Sequence, residues 1–453
     1  MATSNTLDVQ TFLNAHRFSG FQWTIFAMCF FIVMLDGFDT AAIGYIAPSL
    51  ISEWGVSRPA LGPVLSAALF GLATGAFLAG PLADRLGRKR VLVVSVAIFA
   101  LACLASATSA DLTQLTTWRF ITGLGLGAAM PNAVTLMSEY CPDTRRAVLT
   151  NTMFCGFPLG AAFGGFLAAS MIPLWGWRSV LILGGLAPLV LLFFLAIFLP
   201  ESVRYMVANA LPVERIHAVL RRISETARNA TAFTMHEVRT SDEAKAGISM
   251  LLSREFLVGS VMLWIAYFMG LVIFYSLINW MPLLFKDAGI DPKTATLIAA
   301  LFPLGGVGAI FFGWLMDRGN SNVIVAIAFA LTAVAVYAVG QASGSVGLLV
   351  VLVFVAGTFM NTGQTCLPSL AAAFYPTRGR ATGVAWMMAI GRFGGIAGSF
   401  LIAELARRQL GFASIFAVIA VAGAIAAVAL IVKQVSHPER RSESAPGVAA
   451  LGH

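Results

Sequence analysis

Asp36 and Asp39 stand three residues apart in the apolar stretch "FIVMLDGFDTAAIGYIAPSL" (31–50), and Arg119 and Arg392 stand alone in two further apolar stretches. Residues three apart share one helix face, with Cβ atoms about 5 to 6 Å apart, so two ionised carboxylates at this spacing repel each other in a dry environment. Such a pair titrates as a unit. A guanidinium presents forked N–H donors that match a carboxylate. These four residues therefore suit the exchange of a proton and the capture of an anion. The five histidines (His16, His217, His236, His437 and His453) lie outside the apolar stretches, so a proton crossing on a side chain must cross on a carboxylate. Cys29, Cys103, Cys141, Cys155 and Cys366 are scattered without C-x-x-C spacing, so neither disulfides nor a metal site are expected.

The elements that hold these residues follow from composition. Of 453 residues, 58% are hydrophobic and 11% charged, and the mean hydropathy is +0.85. Apolar stretches about 20 residues long recur along the chain, the length that crosses a bilayer core as a helix. The expected fold class is an all-α polytopic membrane protein. Twelve spans are expected at about 21–50, 58–81, 90–109, 112–138, 145–171, 178–199, 255–285, 293–316, 322–341, 345–372, 379–405 and 410–433. They divide the chain into a tail 1–20, a six-helix unit 21–199, a linker 200–254, a second six-helix unit 255–433 and a tail 434–453. Residues 1–18 have no basic n-region before an apolar core and no small-residue cleavage site, so they read as a retained tail.

Basic residues set the expected orientation. Arg85, Arg88, Lys89 and Arg90 follow span 2, Arg145 and Arg146 follow span 4, Arg378 and Arg380 follow span 10, and 200–254 adds eight more Lys/Arg. Both tails and the linker should therefore be cytoplasmic. The net charge of +8 is the result of this bias and gives no reason to expect nucleic-acid binding.

The chain repeats itself. "GPLADR" from Gly80 returns as "GWLMDR" from Gly313, and Arg146 is matched 234 residues later by Arg380. The same offset pairs Met153 with Met387, Gly160 with Gly394, Gly164 with Gly398, Gly123 with Gly357 and Pro48 with Pro282. Two parallel halves joined by a cytoplasmic loop describe a rocking transporter with its site near the bilayer midplane. The glycines of 154–165 and 391–400 then serve either as sliding surfaces or as plain packing sites.

Features in both halves should serve the motion. Asp84 with Arg85 and Asp317 with Arg318 belong here, at the basic ends of even-numbered spans, as an ion-pair latch or as simple anchors. Features in one half should serve the cargo. Asp36 and Asp39 match Gly270 and Ile273, Arg119 matches Val353, and Arg392 matches Pro158. Each such charge costs roughly 2.5 to 3.5 kcal/mol at a helix centre, so four cost on the order of 10 kcal/mol unless paired or hydrated. Counting along the helices sets Asp39 roughly 15 Å and Arg119 roughly 10 Å below the outer surface, within reach of each other. Arg392 lies near the midplane in the other half. Gly37 and Gly44 are expected to let the first helix bend or admit cargo. A buried acid held by a static Arg is the alternative reading of the pair.

"GPLADRLGRKR" (80–90) with its echo "GWLMDR" (313–318), "RFITGLGLG" (119–127) and "PESVR" (200–204) resemble motifs of the major facilitator superfamily. "LDGFDTAAIGYIAPSL" (35–50) is narrower and resembles the first helix of its aromatic acid:proton symporters, in particular bacterial transporters of 4-hydroxybenzoate and protocatechuate. The resemblance covers all twelve spans. It implies proton-driven uptake of an aromatic carboxylate across a bacterial inner membrane. Gentisate, phenylpropionate or muconate are alternative cargoes, and a drug/proton exporter is a more distant one. "GFPLG" (156–160) only partly echoes the antiporter motif, which leans away from export.

Carried over residue by residue, the functional positions are Asp36, Asp39, Asp84, Arg119, Glu139, Asp317 and Arg392. Proton coupling falls to Asp36, Asp39 and Arg119. Substrate binding falls to Arg392 and Arg119, with Asn361, Gln364 and Tyr267 as candidates for ring hydroxyls or else ordinary hydrogen bonding between helices. Gating falls to Asp84, Arg85, Arg88, Glu139, Arg146, Asp317, Arg318 and Arg380. The expected cycle begins when one Asp of the pair is protonated and frees Arg119, while Arg392 holds the substrate carboxylate. No catalytic set, nucleotide loop or cofactor site is expected. Gly123, Gly125 and Gly127 follow no strand, so they read as packing glycines. Protons are the coupling ion, and a monomer is expected.

Overall fold

The computed structural model describes residues 6–230, 232–234, 250–308, 320–342, 344–375 and 380–438, apart from the side chains of Asp84, Ala147, Asn151, Asn229, Arg380 and Ala381. Asp317 and Arg318 lie outside the described residues, as do the side chains of Asp84 and Arg380, so the proposed latch is described only at its other members.

The chain opens with β1 (Thr6–Asp8) and α1 (Val9–Ala15), then runs through α2 (Gly20–Trp54), α3 (Leu61–Leu86), α4 (Arg88–Ala107), α5 (Leu112–Glu139), α6 (Asp143–Phe154), α7 (Gly156–Trp175) and α8 (Arg178–Phe198). The connecting segment holds α9 (Val203–Ala208), α10 (Val213–Leu220) and β2 (Ala232–Thr234). α11 (Leu257–Asp287), α12 (Pro292–Leu304), α13 (Ser321–Gln341), α14 (Val346–Phe374), α15 (Arg380–Arg407) and α16 (Phe412–Ser436) complete it. Among the described residues, eleven helical segments are long and apolar enough to cross a membrane, α6 and α7 counting as one, and Pro292–Leu304 is a shorter apolar helix.

Two spans differ from expectation. The span expected at 145–171 breaks at Cys155 into α6 and α7. The span expected at 293–316 is α-helical only to Leu304 and tightens to a 3-10 turn over Gly305–Gly308, with 309–319 outside the described residues. Most boundaries overshoot, because apolar content marks the bilayer core while capping sets where a helix ends. α2 starts at a capping box in which Ser19 and Gln22 exchange backbone hydrogen bonds, and it stops at Gly55 in the left-handed conformation.

The repeat reappears as packing. Numbering the helices of each half from one to six, the pairs first–fifth, first–sixth, second–fourth, third–fourth and third–sixth pack in both halves. The glycine contacts repeat too. A Cβ at Gly160 would collide with the Met34 carbonyl and one at Gly394 with that of Phe268, and 34 and 268 are themselves 234 apart. Gly123 against Ala68 and Gly357 against Phe302 obey the same rule. These glycines are the close crossings that hold each half together.

The halves meet at the end away from the basic loops. Arg58 Nη2 lies 2.8 Å from Asp287 Oδ1, and Lys286 Nζ donates to the Pro48 carbonyl at 3.1 Å. The Gly44 backbone lies against Ile278 and Asn279 of α11, and Gly62 against Ala403 of α15. Toward the basic end α3 has fewer neighbours among the described residues: Phe77 is 83% exposed, and none of them lies within 4 Å of a Cβ built at Gly80.

The expected tail 1–20 is folded from residue 6. Thr6–Asp8 pairs in parallel with Ala232–Thr234, and Val9, Phe12 and Leu13 of α1 bury themselves with Met206, Ile216, Leu220 and Ala227 beneath Tyr140 and Leu199. This small cap joins the segment 203–234 to the basic end of the first half.

Candidate functional site: a buried acid–base cluster at the interface between the halves

The first helices of the two halves, α2 and α11, pack against each other, and α5 and α15 bring the two arginines to that interface. α5 starts at Asp111, whose side chain accepts from Gln114 N. Two turns later Arg119 points inward, fully buried. Its Nη1 donates to Asp39 Oδ1 at 2.8 Å and its Nη2 to Asp39 Oδ2 at 2.7 Å and to the Asp39 carbonyl at 3.2 Å. Cys103 of α4 adds a third donor, its Sγ lying 3.4 Å from Asp39 Oδ1. Both charges are withdrawn from solvent, so each satisfies the other's desolvated group.

Asp36 is as deeply buried but differently placed. Among the described residues its Oδ1 accepts only from Thr40 Oγ1, at 3.4 Å, and its Oδ2 has no hydrogen-bond partner. Arg392 and Tyr275, from the opposite half, are close enough to act on Asp36 electrostatically. Arg392 is half-buried and its Nη1 donates to the Leu72 carbonyl of α3 at 3.1 Å, so it reaches across the cleft. The structure thus separates the two carboxylates. Asp39 is chelated inside the first half, while Asp36 has an open oxygen and faces the second.

Three candidate ring-binding residues fall in different surroundings. Asn361 gives its amide N–H groups to the carbonyls of Phe302 and Gly357, at 3.1 and 2.7 Å, and so ties α14 to α12. Tyr267 lies against Gly391 and beside Gln364. Gln364 keeps both amide atoms buried, with the Tyr267 hydroxyl as a polar neighbour but no hydrogen bond of good geometry among the described residues. Tyr275, beside Asp36, was not singled out by sequence; its counterpart 234 residues earlier is Ala41, so the asymmetry that marked Asp36 also marks it. Gly37 and Gly44 admit neighbouring backbone, not cargo. A Cβ at Gly37 would meet the Phe157 carbonyl and one at Gly44 that of Ile278.

The gating candidates lie at the basic end. Arg88 Nε is 3.5 Å from Glu139 Oε1, Arg88 Nη1 donates to the Ala83 carbonyl at 3.1 Å, and Glu139 accepts from Ser202 Oγ. These contacts stay within the first half and its connecting segment. Arg146 pairs with Asp143 at 2.7 Å and donates to Gln10 and to the Ser138 carbonyl. Arg204 reaches the same Gln10 oxygen at 2.7 Å. Arg85 is exposed, and its carbonyl accepts from Tyr205.

Comparison with known proteins fits this architecture. The chain is 48% identical over 436 residues to the 4-hydroxybenzoate transporter PcaK of Pseudomonas aeruginosa, covering 96% of this chain and 97% of that protein. It is 43% identical to the gallate transporter of Pseudomonas putida over 98% of both, and 30% identical to the benzoate transport protein of Acinetobacter baylyi over 90% of this chain and 88% of that one. Among solved structures, the inward-open xylose transporter XylE from E. coli superposes with a TM-score of 0.73 at 20% identity, over 93% of this chain and 98% of that one. The profile of the Major Facilitator Superfamily matches residues 29–309 and 263–451. With that match over most of its length and relatives this similar along the whole chain, the protein belongs to the Major Facilitator Superfamily.

Proposed function

We propose that the protein takes up an aromatic carboxylate of the 4-hydroxybenzoate or protocatechuate type together with a proton, across a bacterial inner membrane, with both termini in the cytoplasm. Support for the cargo comes from the relatives that carry 4-hydroxybenzoate and gallate by name. The observation that carries the mechanism is the unequal setting of the two carboxylates, with Asp39 chelated by Arg119 and Asp36 left with a free oxygen in the cleft near Arg392.

On this reading Asp36 is the proton-binding group. Protonating Asp39 would strand Arg119, a fully buried cation, without its counter-charge, and breaking a buried pair in this way costs about 3 to 5 kcal/mol. Asp36 has no such penalty. An ionised Asp36 competes with the substrate carboxylate for Arg392, whereas a protonated Asp36 leaves Arg392 to the substrate. Proton and anion therefore favour each other's binding, and by linkage the coupling is reciprocal. The bound substrate places its carboxylate on Arg392 as a charge-assisted pair, bidentate when geometry allows.

The two six-helix units, 21–199 and 255–433, then tilt about this site. With the basic loops taken as cytoplasmic, the contacts between the halves at the far end, Arg58–Asp287 and Lys286–Pro48, support a conformation open toward the cytoplasm. Asp84 and Asp317 serve the opposite, outward-facing state. The working unit is a single chain, because both walls of the cleft come from it, and protons replace any cofactor. A monoanion entering with one proton moves no net charge, and with two protons it moves one.

The test is uptake of labelled 4-hydroxybenzoate into proteoliposomes with an imposed pH gradient. Accumulation that rises with an inside-alkaline gradient supports the reading, and uptake indifferent to pH contradicts it. A thermal-shift panel of benzoate, 4-hydroxybenzoate, protocatechuate, gentisate, phenylpropionates and muconate on purified protein ranks the cargo.

A further inference from the structure

Gln364 lies on α14 with its side chain over Gly270 of α11, so close that a Cβ at 270 would collide with Gln364 Oε1. Its amide is buried beside the Tyr267 hydroxyl, yet among the described residues neither Oε1 nor Nε2 makes a hydrogen bond of good geometry. A buried amide lacking all its bonds is costly, and native structures rarely keep one without a use. The position is also asymmetric. Gln364 matches Met130 of the first half, and the Gly270 that makes room for it matches Asp36. Tyr267, one turn before Gly270, lies beside Gln364 and is close enough to Arg392 to feel its charge.

A cation for a carboxylate and an unsatisfied amide thus stand in one cluster of the second half, joined by an aromatic ring. From this juxtaposition we infer that Gln364 is a specificity-determining residue that recognises a ring hydroxyl of the substrate. A phenol donates through its O–H and accepts on its oxygen, so one hydroxyl satisfies both halves of the amide. Gly270 is what makes this possible, since any side chain there would displace Oε1 from its place. A ring without the hydroxyl leaves the amide unpaired, and sites built to bond a hydroxyl reject such analogues more strongly than apolar pockets reject a missing methylene.

The inference rests on the aromatic-carboxylate reading, and the experiment separates the two. Inhibition constants of unlabelled 4-hydroxybenzoate, 4-methylbenzoate and benzoate are measured against labelled 4-hydroxybenzoate uptake in proteoliposomes, for the wild-type protein and for Gln364→Leu, Gln364→Met and Gln364→Asn. The wild-type protein should bind the two analogues at least about tenfold more weakly than 4-hydroxybenzoate. Gln364→Leu and Gln364→Met should bring the three constants within about threefold of one another by weakening only the hydroxylated ligand, and Gln364→Asn should restore part of the preference. Equal binding of 4-methylbenzoate and 4-hydroxybenzoate by the wild-type protein overturns the inference with no variant needed. So does a variant that weakens all three acids alike. Absence of 4-hydroxybenzoate uptake by the wild-type protein would instead remove the underlying cargo assignment.

Discussion

Arg119 holds Asp39 through both guanidinium Nη atoms, at 2.8 and 2.7 Å, in a site from which solvent is excluded on all sides. The pair is internal to the first half and joins α2 to α5, with Cys103 of α4 as a third contact. Its fixity leaves Asp36, one turn earlier, as the carboxylate with an oxygen lacking a hydrogen-bond partner among the described residues, the group to which the proposed function gives the proton.

Removing either member should therefore cost stability before it costs chemistry. Asp39→Asn and Arg119→Met should each lower the detergent-solubilised protein's stability by about 3 to 5 kcal/mol, read as a fall in the unfolding temperature. The double variant should be more stable than the Arg119-retaining single, because no lone charge stays buried. Equal losses in both singles and a summed loss in the double would show that the two side chains do not act as a pair.

Substrate affinity should depend on pH with a definite sign. Protonated Asp36 leaves Arg392 free, so binding of the anion tightens as pH falls through the titration of Asp36 and weakens as pH rises above it. In Asp36→Asn the dependence should flatten at the tighter limit. Arg392→Ala should weaken binding by roughly 10- to 150-fold, the loss of a charge-assisted pair of about 1.5 to 3 kcal/mol. Titration of binding across pH 5 to 9 checks all three proteins.

Much of this site is legible in the sequence, and the reason is cost. A charge inside an apolar span is expensive enough that each one needs a use, so Asp36, Asp39, Arg119 and Arg392 stood out against their uncharged counterparts in the repeat. Depth counted along the helices put Asp39 within reach of Arg119, and Arg119 does meet Asp39; that Asp36, on the same helix face, keeps an oxygen without a partner was not legible, because only the packing of α5 on α2 decides it. Asn361 shows the limit from the other side. An amide facing a cleft and an amide bridging two helices have the same sequence signature, and here its donors go to the carbonyls of Phe302 and Gly357. Gly37 and Gly44 misled in the same way, since a missing side chain makes room for a helix as readily as for a ligand. The folded cap escaped notice because strands of three residues, Thr6–Asp8 and Ala232–Thr234, are too short to leave a periodic pattern.

That cap should be separable from transport. Phe12 is 5% exposed within the cluster under Tyr140, so Phe12→Ala should destabilise the cap by about 3 kcal/mol. Limited proteolysis between residues 200 and 234 should accelerate, while the affinity for substrate, set by residues in the cleft, should stay within about twofold. A matching loss of affinity would mean that the cap supports the site.

The contact between the halves at the end away from the basic loops should be an off-switch when made covalent. Gly62 and Ala403 face each other across it, with a Cβ built at Gly62 2.9 Å from that of Ala403, so a small displacement brings cysteines at both positions into disulfide range. Gly62→Cys/Ala403→Cys should lose uptake on oxidation and regain it with reductant, while each single variant is unaffected by oxidant. Oxidised double variant that still transports would show that these surfaces need not part.

The central claim is that Asp36 carries the coupling proton, and Asp36→Asn tests it most directly when two assays are run on the same proteoliposomes. Exchange of labelled for unlabelled 4-hydroxybenzoate across the membrane needs binding and reorientation but no net proton movement. Accumulation under a pH gradient needs the proton. The account predicts that Asp36→Asn keeps exchange within a fewfold of wild type and loses gradient-driven accumulation entirely. An Asp36→Asn protein that still concentrates substrate under the pH gradient would contradict it.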